Sequence, residues 1–169
     1  MPNTFVAVLM GSDSDLPLMQ TTLDVLTALQ VPFEVKITSA HRTPAATHAY
    51  VKDADTRGCG VFIAAAGLAA HLAGTVAGLT LKPVIGVPMD AGPLQGMDAL
   101  LSTVQMPAGI PVACVAIGKT GAKNAAYLAA QMLALNNPAL AERLAQERAD
   151  NAASIQAKDQ ALQAQVRRG

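Results

Sequence analysis

Short, mostly apolar runs recur along the chain at residues 5–10, 33–37, 61–65, 84–87 and 112–117, with a helix-sized stretch between each pair. Runs of four to six residues fit strands, and spacings of this size suit parallel crossovers, which bury a strand on both faces. The pattern predicts five parallel strands. Leu18, Met19, Leu23 and Leu26 repeat at helical spacing, and Thr43-Pro44 offers an N-cap followed by proline at the first helical position of a segment that Gly58 can stop. After the fifth run, residues 123–135 form an Ala-rich helix, Asn136-Asn137-Pro138 breaks it, and a charged helical pattern runs toward Gln165. The chain therefore reads as an α/β three-layer sandwich in residues 1–137, with an appended helical extension in 138–169 that is a candidate for packing on a neighbouring subunit.

Charge separates the body from this tail. Nine of the 24 charged residues lie at positions 139–169, leaving fifteen across the first 138. A body so poor in charge either exposes apolar surface or hides it against copies of itself, and closed homo-oligomers are the usual form. Twelve Lys and Arg balance twelve Asp and Glu, so no long-range field draws in nucleic acid or anionic lipid, and a small partner is expected. No apolar stretch approaches the roughly 20 residues of a membrane span. Cys59 and Cys114 form no CxxC pair and no leader pattern follows Met1, which points to the cytoplasm. Leu140, Leu144, Ile155, Leu162 and Val166 make a thin stripe on the last helix, which either packs on a neighbour or stays solvated with a frayed end.

In a doubly wound sheet, ligands bind beyond the carboxyl ends of the strands, near the point where strand order reverses. The segments there read GSDSD (11–15), TSAHRTP (38–44), AAGLAAH (65–71), PMDAGP (88–93) and GKTGAKN (118–124). GSDSD presents backbone N–H groups and two hydroxyls at a helix start, which suits an anion; a simple helix cap from Ser14 or Asp15 is the plainer alternative. In SAHRTP, Arg42 can lay a permanently charged planar fork on a phosphate, and His41 beside it is of the type that gives and takes protons near neutral pH. His41 is therefore the catalytic candidate, whereas His48, within the next helix, reads as a surface residue. Gly67 allows close backbone approach among the small residues of 64–74, and His71 reads equally as a ligand contact or a helix cap.

Spacing excludes several other chemistries. Gly118-Lys119-Thr120 resembles the end of a P-loop, but the glycine needed five positions earlier is Ala113, so ATP is not expected. Three histidines and two isolated cysteines match no zinc pattern, and Asp13 with Asp15 is too small a set for a calcium loop, so no metal is expected. Neither GxGxxG after the first strand nor a GxSxG elbow is present.

GSDSD, SAHRTP, the AGLAAHL loop and the run LLSTVQMPAGIPVACVAIGKTGAKNAA (100–126) resemble class I N5-carboxyaminoimidazole ribonucleotide mutases of purine biosynthesis, the catalytic-subunit family of phosphoribosylaminoimidazole carboxylase. The likeness spans nearly all of positions 5–135. It implies a flavodoxin-like fold, a homo-octamer, and transfer of a carboxyl group from N5 to C4 of a ribonucleotide without cofactor, metal, ATP or biotin. By the same resemblance Ser12 and Arg42 bind the 5′-phosphate with Ser14 near it, and Asp15 accepts from ribose hydroxyls. Ser39, Ala40, Ala66, Gly67, His71 and Leu72 line the base and carboxylate end, and His41 is the acid and base. Residues 64–70 would make a small, dry pocket that confines CO2. Two positions depart from the family pattern: Ala73 replaces the usual proline of His-Leu-Pro-Gly, and Leu68 replaces a smaller residue. Arg42 favours the mutase, because the CO2-dependent aminoimidazole ribonucleotide carboxylases of the family carry Lys after SAH. That carboxylase and a non-catalytic ribonucleotide-sensing module are the competing functions.

Overall fold

Five strands, β1 (Phe5–Met10), β2 (Phe33–Ile37), β3 (Cys59–Ala66), β4 (Val84–Pro88) and β5 (Ala113–Cys114), form one parallel sheet in the order β2-β1-β3-β4-β5. The structure is a computed structural model and describes residues 4–167. The chain winds from β1 out to β2 and then crosses back to β3 on the other side of β1. Strand order thus reverses between β1 and β3, in the doubly wound, flavodoxin-like manner.

Six helices connect and cover the strands: α1 (Leu16–Ala28), α2 (Pro44–Thr56), α3 (Leu72–Ala77), α4 (Met97–Val104), α5 (Gly118–Ala134) and α6 (Pro138–Val166). Alternate residues of β1 divide the core. Val6, Val8 and Met10 pack with α1 and α5 on one face, while Phe5, Ala7 and Leu9 pack with α2 and α3 on the other. The alanines of α5 have a packing reason, since Ala122, Ala125, Ala126, Ala129 and Ala130 are all buried against the sheet. The Thr22 hydroxyl on α1 also donates to the Ala122 carbonyl at 2.7 Å, which ties the two helices of that face.

The expectation that every strand is buried on both faces holds for β1, β3 and β4 but not for the edges. β2 leaves Val35, Lys36 and Ile37 exposed, because only β1 pairs with it and its other flank is open. The fifth run, expected over 112–117, pairs only at Ala113 and Cys114. The Val115 N–H still donates to the Gly86 carbonyl at 3.0 Å, and the chain then turns at Gly118 into α5, five residues before the expected start. Pro44 does occupy the first turn of α2, and Gly58 does follow its end with a φ of 95°. Thr43 sits at the N-cap position without making a side-chain cap bond.

The first part of α6 is joined to the body. Leu140 is buried in the α1/α5 core, Arg143 Nε donates to the Leu29 carbonyl at 2.8 Å, and the Tyr127 hydroxyl bonds Glu147. Ile155, Leu162 and Val166 are exposed on this chain, so the outer half of the helix has no cover from its own core. None of the described helices is long and apolar enough to cross a membrane.

Candidate active site

The loops that leave β1, β2 and β3 surround one cavity of about 510 Å³ at the switch point. Every site residue expected from the sequence lines it: Ser12, Ser14, Asp15, Ser39, Ala40, His41, Arg42, Ala66, Gly67, His71 and Leu72. Gly11, Leu68, Ala69 and Ala91 complete the lining.

GSDSD forms a short 3-10 turn, Asp13–Asp15, that runs into α1. Ser12 caps this turn: its Oγ accepts from the Ser14 N–H at 3.3 Å, and the Ser12 N–H donates to Asp15 Oδ2 at 3.2 Å, while Asp15 stands at the N-cap position of α1 without a side-chain cap bond. Asp15 is the reciprocal member of this capping box and needs to be close, hence its burial. Burial pushes its carboxyl up from the usual aspartate value; the Ser12 N–H opposes this and the charge of Asp13 adds to it. Ser14 Oγ donates to Ser12 Oγ at 2.9 Å, so the two hydroxyls form one cluster at the cavity.

The SAHRTP loop is braced by hydroxyls. Ser39 Oγ accepts from the N–H groups of His41 at 3.3 Å and Arg42 at 3.1 Å, while Thr43 Oγ1 accepts from the Ser39 N–H at 2.9 Å. Below them the buried Thr38 and Thr47 hydroxyls bond to each other at 2.7 Å. Thr43 thus closes the loop instead of capping α2. Arg42 reaches across to the loop after β1, where Nη2 donates to the Gly11 carbonyl at 3.0 Å, which sets a fixed positive charge on the same cavity as the two serines.

His41 Nε2 and His71 Nδ1 lie 2.7 Å apart, with rings nearly perpendicular at 82°. One nitrogen must donate and the other accept, so the tautomers of the two rings are complementary. His71 stands at the N-cap position of α3 yet makes no side-chain cap bond, so its side chain does not serve as the helix cap. His48 is exposed on α2, as expected.

The third loop differs from the expected small-residue pocket. Ala64, Ala65 and Ala70 are buried in the protein, and only Ala66, Gly67, Leu68 and Ala69 face the cavity. Gly67 is needed for packing: a β-carbon there would lie 3.1 Å from Ala91 Cβ. Leu68 adopts a φ of 55°, a left-handed conformation that costs a residue with a side chain about 1 kcal/mol. Sequence reasoning placed neither Ala91 nor the threonine brace at the site. The brace has a signal, a Ser-x-x-x-Thr-Pro spacing typical of hydroxyl-closed turns, whereas Ala91 has none.

Other groups carry less. A larger cavity of about 1040 Å³ between α5 and α6 contains no histidine. Burial pushes the Cys59 thiol up to about 11, backbone hydrogen bonds from Ala7 and Val61 opposing, so it is a poor nucleophile. Among the described residues no cluster of three or more His, Cys, Asp or Glu could hold a metal.

A doubly wound sheet with polar, cationic and imidazole groups gathered at its switch point is the anatomy of an α/β enzyme acting on a small anionic molecule. The chain belongs to the AIR carboxylase family, which it matches over residues 5–154. It is 52% identical over 145 residues to an N5-carboxyaminoimidazole ribonucleotide mutase of Pyrococcus abyssi, covering 86% of this chain and 82% of that one. A Synechocystis protein of the same name is 54% identical over 147 residues, covering 87% and 82%. The crystal structure of Treponema denticola PurE superposes with a TM-score of 0.85 at 28% identity, covering 93% of this chain and 97% of that chain.

Proposed function

We propose that this enzyme moves the carboxyl group of N5-carboxyaminoimidazole ribonucleotide from N5 to C4, giving 4-carboxyaminoimidazole ribonucleotide in purine biosynthesis. The observation that carries it is the His41–His71 pair at 2.7 Å, set beside Arg42 on one cavity in a chain about half identical to proteins named for that reaction.

Arg42 and the Ser12 and Ser14 hydroxyls hold the 5′-phosphate, a role supported by their common cavity and by the charge-assisted, forked geometry that arginine offers phosphate. Asp15 accepts from the ribose hydroxyls. Ser39, Ala40, Ala66, Gly67, His71 and Leu72 line the base and carboxylate end. His41 gives a proton to N5 as the carbamate breaks and CO2 is released; C4 of the electron-rich ring then attacks CO2, and His41 takes the C4 proton to restore aromaticity. One proton is taken and one returned, so a single histidine serves both steps, and His71 supports it as a hydrogen-bond partner. The residues drawn on are imidazole, guanidinium, hydroxyl and carboxylate, which together suffice for proton transfer and phosphate binding.

The enzyme works as a homo-octamer in the cytoplasm. The charge-poor body and the exposed Leu94, just before α4, with Met97, Leu101 and Val104 on it, support association of copies.

The test is the ultraviolet change on adding enzyme to N5-carboxyaminoimidazole ribonucleotide without bicarbonate. Conversion is expected with wild type and not with His41→Asn. Turnover of aminoimidazole ribonucleotide at low bicarbonate, with none of the carbamate, would instead make it the carboxylase, and binding without either turnover would make it a sensing module.

A further inference from the structure

Two loops meet beside the cavity at successive positions. Leu68, which follows β3, lines the cavity with its backbone in the left-handed region and its side chain 52% exposed. One end of that side chain is nevertheless seated: Leu68 Cδ2 lies 2.4 Å from where a β-carbon would stand on Gly92, after β4. Gly92 also has a positive φ, 75°, so that position favours glycine twice, by conformation and by space. One residue earlier in each loop, Ala91 Cβ approaches the bare Cα side of Gly67, and both residues line the cavity. A strained leucine persists only where its surroundings hold it, and here the holder is the opposite loop.

We propose that Leu68 is a positioning residue which, seated on Gly92, pins the β3–α3 loop to the β4–α4 loop and keeps one wall of the cavity in place while CO2 is free. The inference rests on the carboxyl-shift function above. CO2 has no charge and few hydrogen-bonding handles, so walls and not polar contacts must retain it. In the first step the N5–C bond breaks as N5 takes a proton. In the second the C4–C bond forms and the C4 proton leaves. If the wall gives way between them, CO2 escapes to be hydrated, and aminoimidazole ribonucleotide departs carrying the proton it took up.

The partition between the two products tests this. Full-length wild type, Leu68→Gly, Leu68→Met and Gly92→Ala are each supplied with N5-carboxyaminoimidazole ribonucleotide, and both products are quantified after subtracting uncatalysed decarboxylation. Leu68→Gly removes the contact while relieving the backbone strain, and Gly92→Ala displaces an intact Leu68. In both, the share of aminoimidazole ribonucleotide should rise at least about threefold with little change in KM, and Leu68→Met, which keeps the reach, should restore the wild-type partition. A wild-type partition in Leu68→Gly overturns the assignment, as does an equal leak in Leu68→Met. If wild type itself forms no 4-carboxy product, the carboxyl-shift function falls and the assignment with it.

Discussion

His41, Arg42 and Ser39 share one turn but do different work, and single substitutions should separate them. His41→Asn keeps a polar side chain of similar size, so ligand binding by isothermal calorimetry should persist while turnover drops by about 100-fold or more. Substantial residual turnover would remove His41 as the proton carrier. Arg42→Ala should weaken phosphorylated ligands by roughly 10-fold or more, the usual loss for a hydrogen bond to a charged group, and leave unphosphorylated nucleoside unaffected. Equal affinity for the phosphate would refute its role. Ser39 holds the His41 and Arg42 N–H groups, so Ser39→Ala should lower kcat/KM by about 10-fold through both residues at once. His41 and Arg42 were legible in the sequence because chemistry-bearing residue types cluster after a strand run, and Ser39 entered through the family resemblance. Ser39 was legible only as a ligand contact, since its grip on two backbone N–H groups depends on how the loop closes.

At the scale of elements, the sheet is clamped at its β2 edge and tightly overlaid at β4. Glu34 on β2 bonds Arg57, which also donates through Nε to Asp53 at 2.7 Å, and the Tyr50 hydroxyl donates to Glu34 at 3.1 Å. The Arg57 hydrogen bond holds the Glu34 carboxyl below its usual value, desolvation opposing it and Tyr50 adding to it. A carboxylate with a lowered folded pKa contributes stability that is complete above its unfolded value and is lost as pH falls through the lower folded one. The melting-temperature gap between wild type and Glu34→Gln should therefore be open at neutral pH and close below about pH 4. A gap that persists into acid would show that the ion pair is not its source. On β4, a β-carbon at Gly86 would lie 2.3 Å from Thr103 Cγ2 on α4 and 3.2 Å from Ala73 Cβ on α3. Gly86→Ala should cost about 1–3 kcal/mol in a urea titration, the range for overpacking a filled core. The strand run at 84–87 was readable, but the closeness of two helices above one of its residues was not.

For the whole molecule, the decisive quantity is how many copies associate. Light scattering should give about eight times the 17.3 kDa chain mass, and a single-chain particle would reject the oligomer. Leu94, Met97, Leu101 and Val104 fall on one face of the α4 region at spacings of three and four, so Leu101→Glu should reduce the mass by placing a charge in any contact they make. The sequence by itself determined the parallel α/β class, the break at Asn136-Asn137-Pro138 and the loops that carry the site, because strand length, helical period and turn residues are local properties. The eleven residues that the motifs and the family resemblance singled out line one cavity, since loop position follows from strand position once the sheet is parallel. Only the tertiary structure decided that β2 and β5 are edges, that Ser12 caps the 3-10 turn leading into α1, and that His71 faces His41 across thirty positions of chain. The same holds for Leu68 and Gly92. Each of these depends on which distant segments are brought side by side, and strand order and loop closure are settled by packing across the sheet rather than by any local pattern.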